Sequence, residues 1–298
     1  MQSVVRFLRS PYRGRTATGI LKIINWSFYP ILALDFYLSN NSRRYVIEDV
    51  SIFTPNIFAY VKHGKIDAFD LELFDFFKKN GFFCILCSDQ STDSRVADLW
   101  LEKNRLGRDS SFLRDLTDDF SKLRLDNLEF AFFNDSMIWD SEELPKLLVK
   151  LRSFKENSIV FPTESNNPRN HVQPYLLYVR LNREGLQRFS QSFLWIKTLR
   201  FKRSLVKFIE YAFKEKIEAF GWEVQLLVKH RDLFDSDLEA MNGNLINPNQ
   251  HAWDRLPRLG LVGIKRSLIK SNPVGVINAP KSFEEALIAL RRIKKLIK

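Results

Sequence analysis

The stretch LEFAFFNDSMIWD, Leu128–Asp140, decides how the rest of the chain is read. Phe130 to Phe133 is apolar and aromatic without interruption, as a strand covered on both faces requires. The chain then turns abruptly to Asn134-Asp135-Ser136, an amide, a carboxylate and a hydroxyl. In open α/β sheets ligands bind outside the carboxyl ends of the strands, which is where this triplet would sit. A second reading stands beside that one: Asp135 or Ser136 shapes a turn into the next helix and nothing more.

Working outward, strand and helix patterns alternate. IFAYV (57–61) reads as a strand. DAFDLELFDFFKKN (67–80) has helical spacing, closes on Lys-Lys and stops at Asn80-Gly81, a helix C-terminus signal. FFCILC (82–87) is a second strand and LWLEK a third. NRLGRDS (104–110) reads as a loop whose Asp109 or Ser110 caps the helix SFLRDLTDDFSKL. After LEFAFF comes a helix over SEELPKLLVKLRSF with Ser141 as its cap, then the strand SIVFP (158–162). PYLLYVRLN (174–182) alternates as an antiparallel strand does. Helices near 184–196 and 203–220 lead to the strand WEVQLLV (222–228), and SDLEAMNGNLINPNQ (236–250) is a long polar loop. This order predicts an α/β domain with a mostly parallel sheet flanked by helices.

The 298 residues, 45% hydrophobic and with 26 Phe, supply a full core. The two Cys, Cys84 and Cys87, lie inside an apolar run, so core positions in a strand are expected rather than a redox pair or a disulfide framework. The net charge of +11 is unevenly placed: Arg6, Arg9, Arg13, Arg15 and Lys22 precede the first acid, Asp35. KTLRFKRSLVK (197–207) contains no acid, and EEALIALRRIKKLIK gathers cations at the end of an amphipathic helix pattern. Such segments suit an anionic partner: a membrane surface, a nucleic acid or a phosphorylated substrate; for the C-terminal helix, cations that complement the helix dipole weigh equally with a membrane. IINWSFYPILALDFYL (23–38) contains Pro30 and Asp35; it could dip into a membrane interface, but is read as neither a span nor a secretory signal.

No phosphate loop, G-x-G-x-x-G, nucleophile elbow or zinc spacing of histidines occurs. What remains is a set of polar groups at loop positions: Asn104, Asp109, Asp135, Glu164, His171, Glu210 and His251. Asp135 with His251 would suit Mg²⁺ or Mn²⁺, whose shell diphosphate oxygens and water complete. Such a metal neutralises a departing diphosphate, the leaving group of nucleotide-diphosphate sugars, while a carboxylate opposite serves as base for an acceptor hydroxyl.

Several blocks in order resemble the rhamnan synthesis protein F family of glycosyltransferases and, more distantly, the GT-A nucleotide-sugar fold. They are VKHGKIDAFDLELFDFFKKNGFFCILCSD, NRLGRDSSFLRDL, FFNDSM, FPTES, HVQPYLLYVR and NPNQHAWDRLPRLGLVGIKRSLIKSNP, spanning about Phe58 to Pro273. The resemblance implies a GT-A-like domain over 49–275; charge and pattern flank it with a basic extension over 1–48, expected to associate with a membrane, and a basic amphipathic helix over 276–298. It implies transfer with inversion of a sugar, L-rhamnose from dTDP-rhamnose, onto a cell-surface polysaccharide or its lipid-linked precursor. Asp135 and His251 would hold Mg²⁺ or Mn²⁺. Tyr60, Ser88, Asn104, Arg108, Asp109, Asn134, His171 and Gln173 would meet the nucleotide-sugar. Glu210 is the first candidate base and Glu164 the second; the bland reading of Glu210 is a helix-face residue spaced to pair with Lys207 and Lys214. Arg108-Asp109-Ser110-Ser111 stands where the family has Tyr-Asp-Phe-Gly, which removes a glycine that eases backbone approach. The expected place is the cytoplasm, peripheral on the inner face of the cell membrane, with an anionic lipid surface as partner and no nucleic acid. Two alternatives stand: a non-catalytic glycosyltransferase-like subunit, and a basic nucleic-acid-binding protein.

Overall fold

The computed structural model describes residues 30–39, 54–89, 96–102, 108–165, 170–233, 247–272, 275–276 and 279–295. Their centre is a mixed sheet. Four of its strands are β1 (Asn56–Lys62), β2 (Phe83–Ser88), β3 (Leu99–Glu102) and β4 (Asn127–Asn134). The others are β6 (Ser158–Ser165), β7 (His171–Val172), β8 (Leu176–Asn182) and β9 (Glu223–Val228). They run β3-β2-β1-β4-β8-β6-β7, with β9 also pairing to β6. The pairings of β1 with β2 and β4, of β2 with β3 and of β6 with β9 are parallel. Only β8 and the short β7 pair antiparallel to their neighbours. The expected α/β class with a mostly parallel, helix-flanked sheet is what the chain forms, and the antiparallel reading of 174–182 holds for β8.

Alternation along the strands feeds two cores, one on each face. Ile57, Ala59, Val61, Phe130 and Phe132 face α3 (Arg108–Phe120) and α5 (Arg183–Gln191), which contribute Phe112, Leu116, Phe120, Leu186 and Phe189. Phe58, Tyr60, Ala131 and Phe133 face the opposite way, onto α2 (Ala68–Lys79) and α4 (Leu144–Arg152). The rings of Phe58 and Phe77 stack at 3.9 Å there. Both cysteines are buried in β2, as their apolar surroundings predicted, and burial pushes the Cys84 thiol up to about 12, with Asp98 adding to the shift.

Several local expectations are corrected. α3 begins at Arg108, so Asp109 and Ser110 lie in its first turn rather than capping it. Asp140, not Ser141, supplies the cap after β4: its carboxylate accepts from Glu142 N. Between them lies an unexpected strand, β5 (Met137–Trp139), paired antiparallel with β10 (Gly263–Lys265). A Cβ at Gly263 would lie 3.1 Å from the Trp139 ring and 3.2 Å from the Ile138 carbonyl, so a larger residue there would press the two strands apart by a few tenths of an ångström. The helix read over 203–220 is broken into α6 (Lys202–Phe208), a 3₁₀ turn over Glu210–Ala212 and α7 (Phe213–Ala219).

At the chain ends, a helix over 30–38 (α1) packs on the 197–208 segment. α8 (Pro248–His251), α9 (Arg266–Lys270) and α10 (Phe283–Lys295) complete the described helices. Ala286 and Leu290 of α10 join a small core with Trp253, Ile264 and Leu268. Among the described residues no helix is long and apolar enough to cross a membrane.

Candidate functional site

Register brings the polar groups to one edge of the sheet. Val61 of β1 lies beside Asn134, and Phe133 beside Leu176 of β8. Because β8 runs antiparallel, its amino end meets the carboxyl ends of β1 and β4. The backbone ladder holds the triplet between them: Asn134 N donates to Tyr175 O at 3.1 Å, and Asp135 N donates to Val61 O at 3.0 Å. The Asn134 side chain then accepts from Ser136 N at 3.0 Å, closing an Asx turn. The triplet therefore makes a turn, and it does so at the mouth of a cleft.

That cleft has a volume of about 440 Å³. Of the sequence candidates, Asp109, Asn134, Asp135, His171, Gln173 and Glu210 line it. The Asp135 Oδ2 accepts from His63 N at 2.8 Å. Asp109 is shared between the His63 ring at 3.2 Å and the Asn134 amide, which donates to it at 2.9 Å. Burial raises the Asp135 carboxyl above its ordinary value; the His63 backbone N–H and ring charge oppose that, and the charge of Asp109 adds to it. The turn thus concentrates negative charge where water is scarce.

The opposite wall carries a second charge set. The break in the helix after Phe208 turns Glu210 into the cleft beside Lys202 and Lys265. Burial lowers the Lys265 amine, the charge of Glu210 supports it, and Lys202 lowers it further. Lys214, one of the two lysines offered by the bland reading of Glu210, lies 3.7 Å from Glu164. The floor is a buried polar chain. Tyr175 OH donates to Asn249 Oδ1 at 2.7 Å, Asn249 Nδ2 donates to Gln173 Oε1 at 3.3 Å, and the Gln173 amide nitrogen lies 3.1 Å from His171 Nε2. Ring and amide thus share one hydrogen bond, whose direction follows the imidazole tautomer. The His171 ring leans on Tyr211 at 4.8 Å.

Other candidates sit elsewhere. Tyr60 alternates away from the cleft into the second core, where its hydroxyl donates to Asp70 at 2.6 Å; burial, with Asp70 second, raises its pKa well above the ordinary value. Ser88 is fully buried at the end of β2 and does not line the cleft. Glu164 lies on β6, taken by Lys214 and outside the cleft lining. Asn104, and the side chains of Arg108 and His251, lie outside the described residues.

His63, Lys202, Tyr211 and Lys265 line the cleft without having been foreseen. His63 follows β1 directly, so the strand-end rule that selected Asp135 applied to it equally. Lys265 had no such signal, because β5 and β10 are three residues each and carry no recognisable period. Among the described residues no cluster of three or more His, Cys, Asp or Glu side chains has metal-binding geometry. No protein-family model matches this chain, and no curated protein matches it.

Proposed function

We propose that this chain is a nucleotide-sugar-dependent glycosyltransferase of GT-A-like fold. It moves a sugar, L-rhamnose from dTDP-rhamnose, with inversion onto a cell-surface polysaccharide or its lipid-linked precursor. The observation that carries the reading is the meeting of two separated acidic poles in one cleft: Asp135 with Asp109 on the sheet edge, and Glu210 on the wall formed by the broken helix.

The donor set at the sheet edge fits Mg²⁺ or Mn²⁺. Asp135 is a hard oxygen ligand with Oδ2 fixed by His63 N, and a cation would offset the cost of ionising its carboxyl, which burial first and the charge of Asp109 second push up. One or two carboxylates suffice for such an ion when phosphates and water supply the rest. When bound, the metal supplies charge neutralisation to the departing diphosphate. Lys265 and Lys202 add positive charge from the opposite wall. Glu210 accepts the proton of the acceptor hydroxyl. The hydroxyl oxygen bonds to the anomeric carbon as the carbon–oxygen bond to the diphosphate breaks, its electron pair leaving with the diphosphate. His171, held by Gln173, orients the ligand.

The test is titration calorimetry with dTDP, with and without Mn²⁺, alongside a donor-turnover assay with dTDP-rhamnose. Metal-dependent nucleotide binding and release of dTDP are expected. A chain that binds no nucleotide and turns over no sugar nucleotide refutes the assignment.

A further inference from the structure

The helix over 30–38 is built inside out. Its one acid, Asp35, turns inward and accepts from the backbone N–H groups of Arg200 and Phe201, both at 3.2 Å, in the segment that enters α6. Phe36 packs inward against Phe208 at 4.8 Å, and Lys197 reaches over the Phe36 ring at 4.5 Å while donating to the Phe36 carbonyl. The outward face is apolar. Ile31, Leu34, Tyr37 and Leu38 are 51%, 55%, 77% and 76% exposed, and at this spacing they share one side of the helix. Phe201 adjoins them, 49% exposed. A water-facing helix surface of this composition is the reverse of what solubility favours.

Charge identifies what covers it. The abutting segment 197–207 holds Lys197, Arg200, Lys202, Arg203 and Lys207 and no acid. Arg200, Lys202 and Arg203 are exposed beside Phe201. A second copy of this chain would bring the same cations against one another. An anionic bilayer satisfies both features, since apolar side chains enter the acyl boundary while the flanking cations meet lipid phosphates. We propose that α1, with the Arg200–Arg203 edge, is a docking surface for an anionic lipid bilayer. The helix lies within the 1–48 extension already expected at a membrane; what the structure adds is a folded face, shared with 197–207, that ends at the cleft, which Lys202 lines with Leu205 and Val206. The docking itself stands apart from the transferase assignment. Only its corollary, that a lipid-linked acceptor reaches Glu210 from the bilayer beside α6, rests on that reading.

The experiment is flotation of the full chain with vesicles of phosphatidylcholine alone or of equal parts phosphatidylcholine and phosphatidylglycerol. Two variants are run beside it, Leu34→Glu/Leu38→Glu and Arg200→Glu/Arg203→Glu, with donor turnover and light-scattering mass measured in parallel. The wild type is expected to float with anionic vesicles only. Each variant is expected to lose at least about tenfold in affinity while keeping its fold and donor turnover. The proposal is overturned by wild-type binding that both variants retain, by equal binding to neutral vesicles, or by no binding. A wild-type dimer that Leu34→Glu/Leu38→Glu makes monomeric also overturns it. Vesicle binding without donor turnover removes the transferase reading and leaves the docking surface intact.

Discussion

At the scale of single residues, Asp135 carries the argument, because its environment works against its charge. A carboxyl raised by burial costs folding stability while ionised, so a neutral isostere relieves that cost. Asp135→Asn keeps an oxygen for His63 N and removes the charge. On the proposed function this variant loses donor turnover by about a hundredfold or more, yet melts at or above the wild-type temperature at neutral pH. Circular dichroism melts and dTDP release measure the two sides. The same shift sets a pH dependence. Mn²⁺ needs the ionised carboxylate, so its affinity falls as pH drops, beginning above the range of an ordinary aspartate. Mn²⁺ binding followed by electron paramagnetic resonance reads that directly. Glu210→Gln tests the other pole. Loss of a positioned base lowers kcat by about 10² to 10⁴ while leaving dTDP affinity near wild type; an equal loss of both would mark Glu210 as a binding group instead.

At the scale of elements, the site depends on a small sheet, β5 with β10, that is held in place from behind. Arg266 follows Lys265 directly. Its backbone N–H donates to Ser136 O at 2.8 Å, and its guanidinium bonds Asp67 and Asp70, where Lys62 also pairs. One buried ion network thus fixes the acidic turn and Lys265 relative to each other. Burial works against the ionised Asp67, but the Arg266 hydrogen bond and charge, with Lys62, outweigh it and hold its pKa at about 2. An acid held below its unfolded value contributes stability above that value and loses it as pH falls toward the folded one. Asp67→Asn should therefore flatten the decline in stability between about pH 4 and pH 2, as urea melts at stepped pH would show. Arg266→Met leaves Asp70 buried beside one cation rather than two and is expected to destabilise by about 3 kcal/mol. The sequence foretold less here than it did for the sheet. Long runs such as FAFF and the Asn80-Gly81 stop announce their elements through period and cap chemistry. Strands of three residues do not, and the break that turns Glu210 into the cleft follows Phe208 with neither Gly nor Pro to mark it. Tyr60, which the resemblance assigned to the nucleotide-sugar, faces the core instead because alternation along β1 points it there.

At the scale of the whole molecule, charge is sorted by place. The chain carries +11 overall, yet Asp109 and Asp135 gather at the sheet edge while Lys202 and Lys265 stand across the cleft. A nucleotide diphosphate bound alone would meet both sets, drawn by the lysines and repelled by the carboxylates. With Mn²⁺ at Asp135 the repulsion becomes attraction, so nucleotide and metal should each strengthen the other's binding, as linkage requires. Thermal melts separate this from simple anion binding. At about a hundredfold excess over Kd, a ligand specific to the folded state adds about 2.7 kcal/mol, or about 4 °C for a chain of this size. dTDP and Mn²⁺ together are expected to exceed the sum of their separate shifts, and in Asp135→Asn the excess should vanish while a dTDP shift remains. Additive shifts in the wild type would take the metal away from Asp135 even if nucleotide binds. A shift produced equally by inorganic pyrophosphate would show that the lysines alone, not a nucleotide site, are responsible.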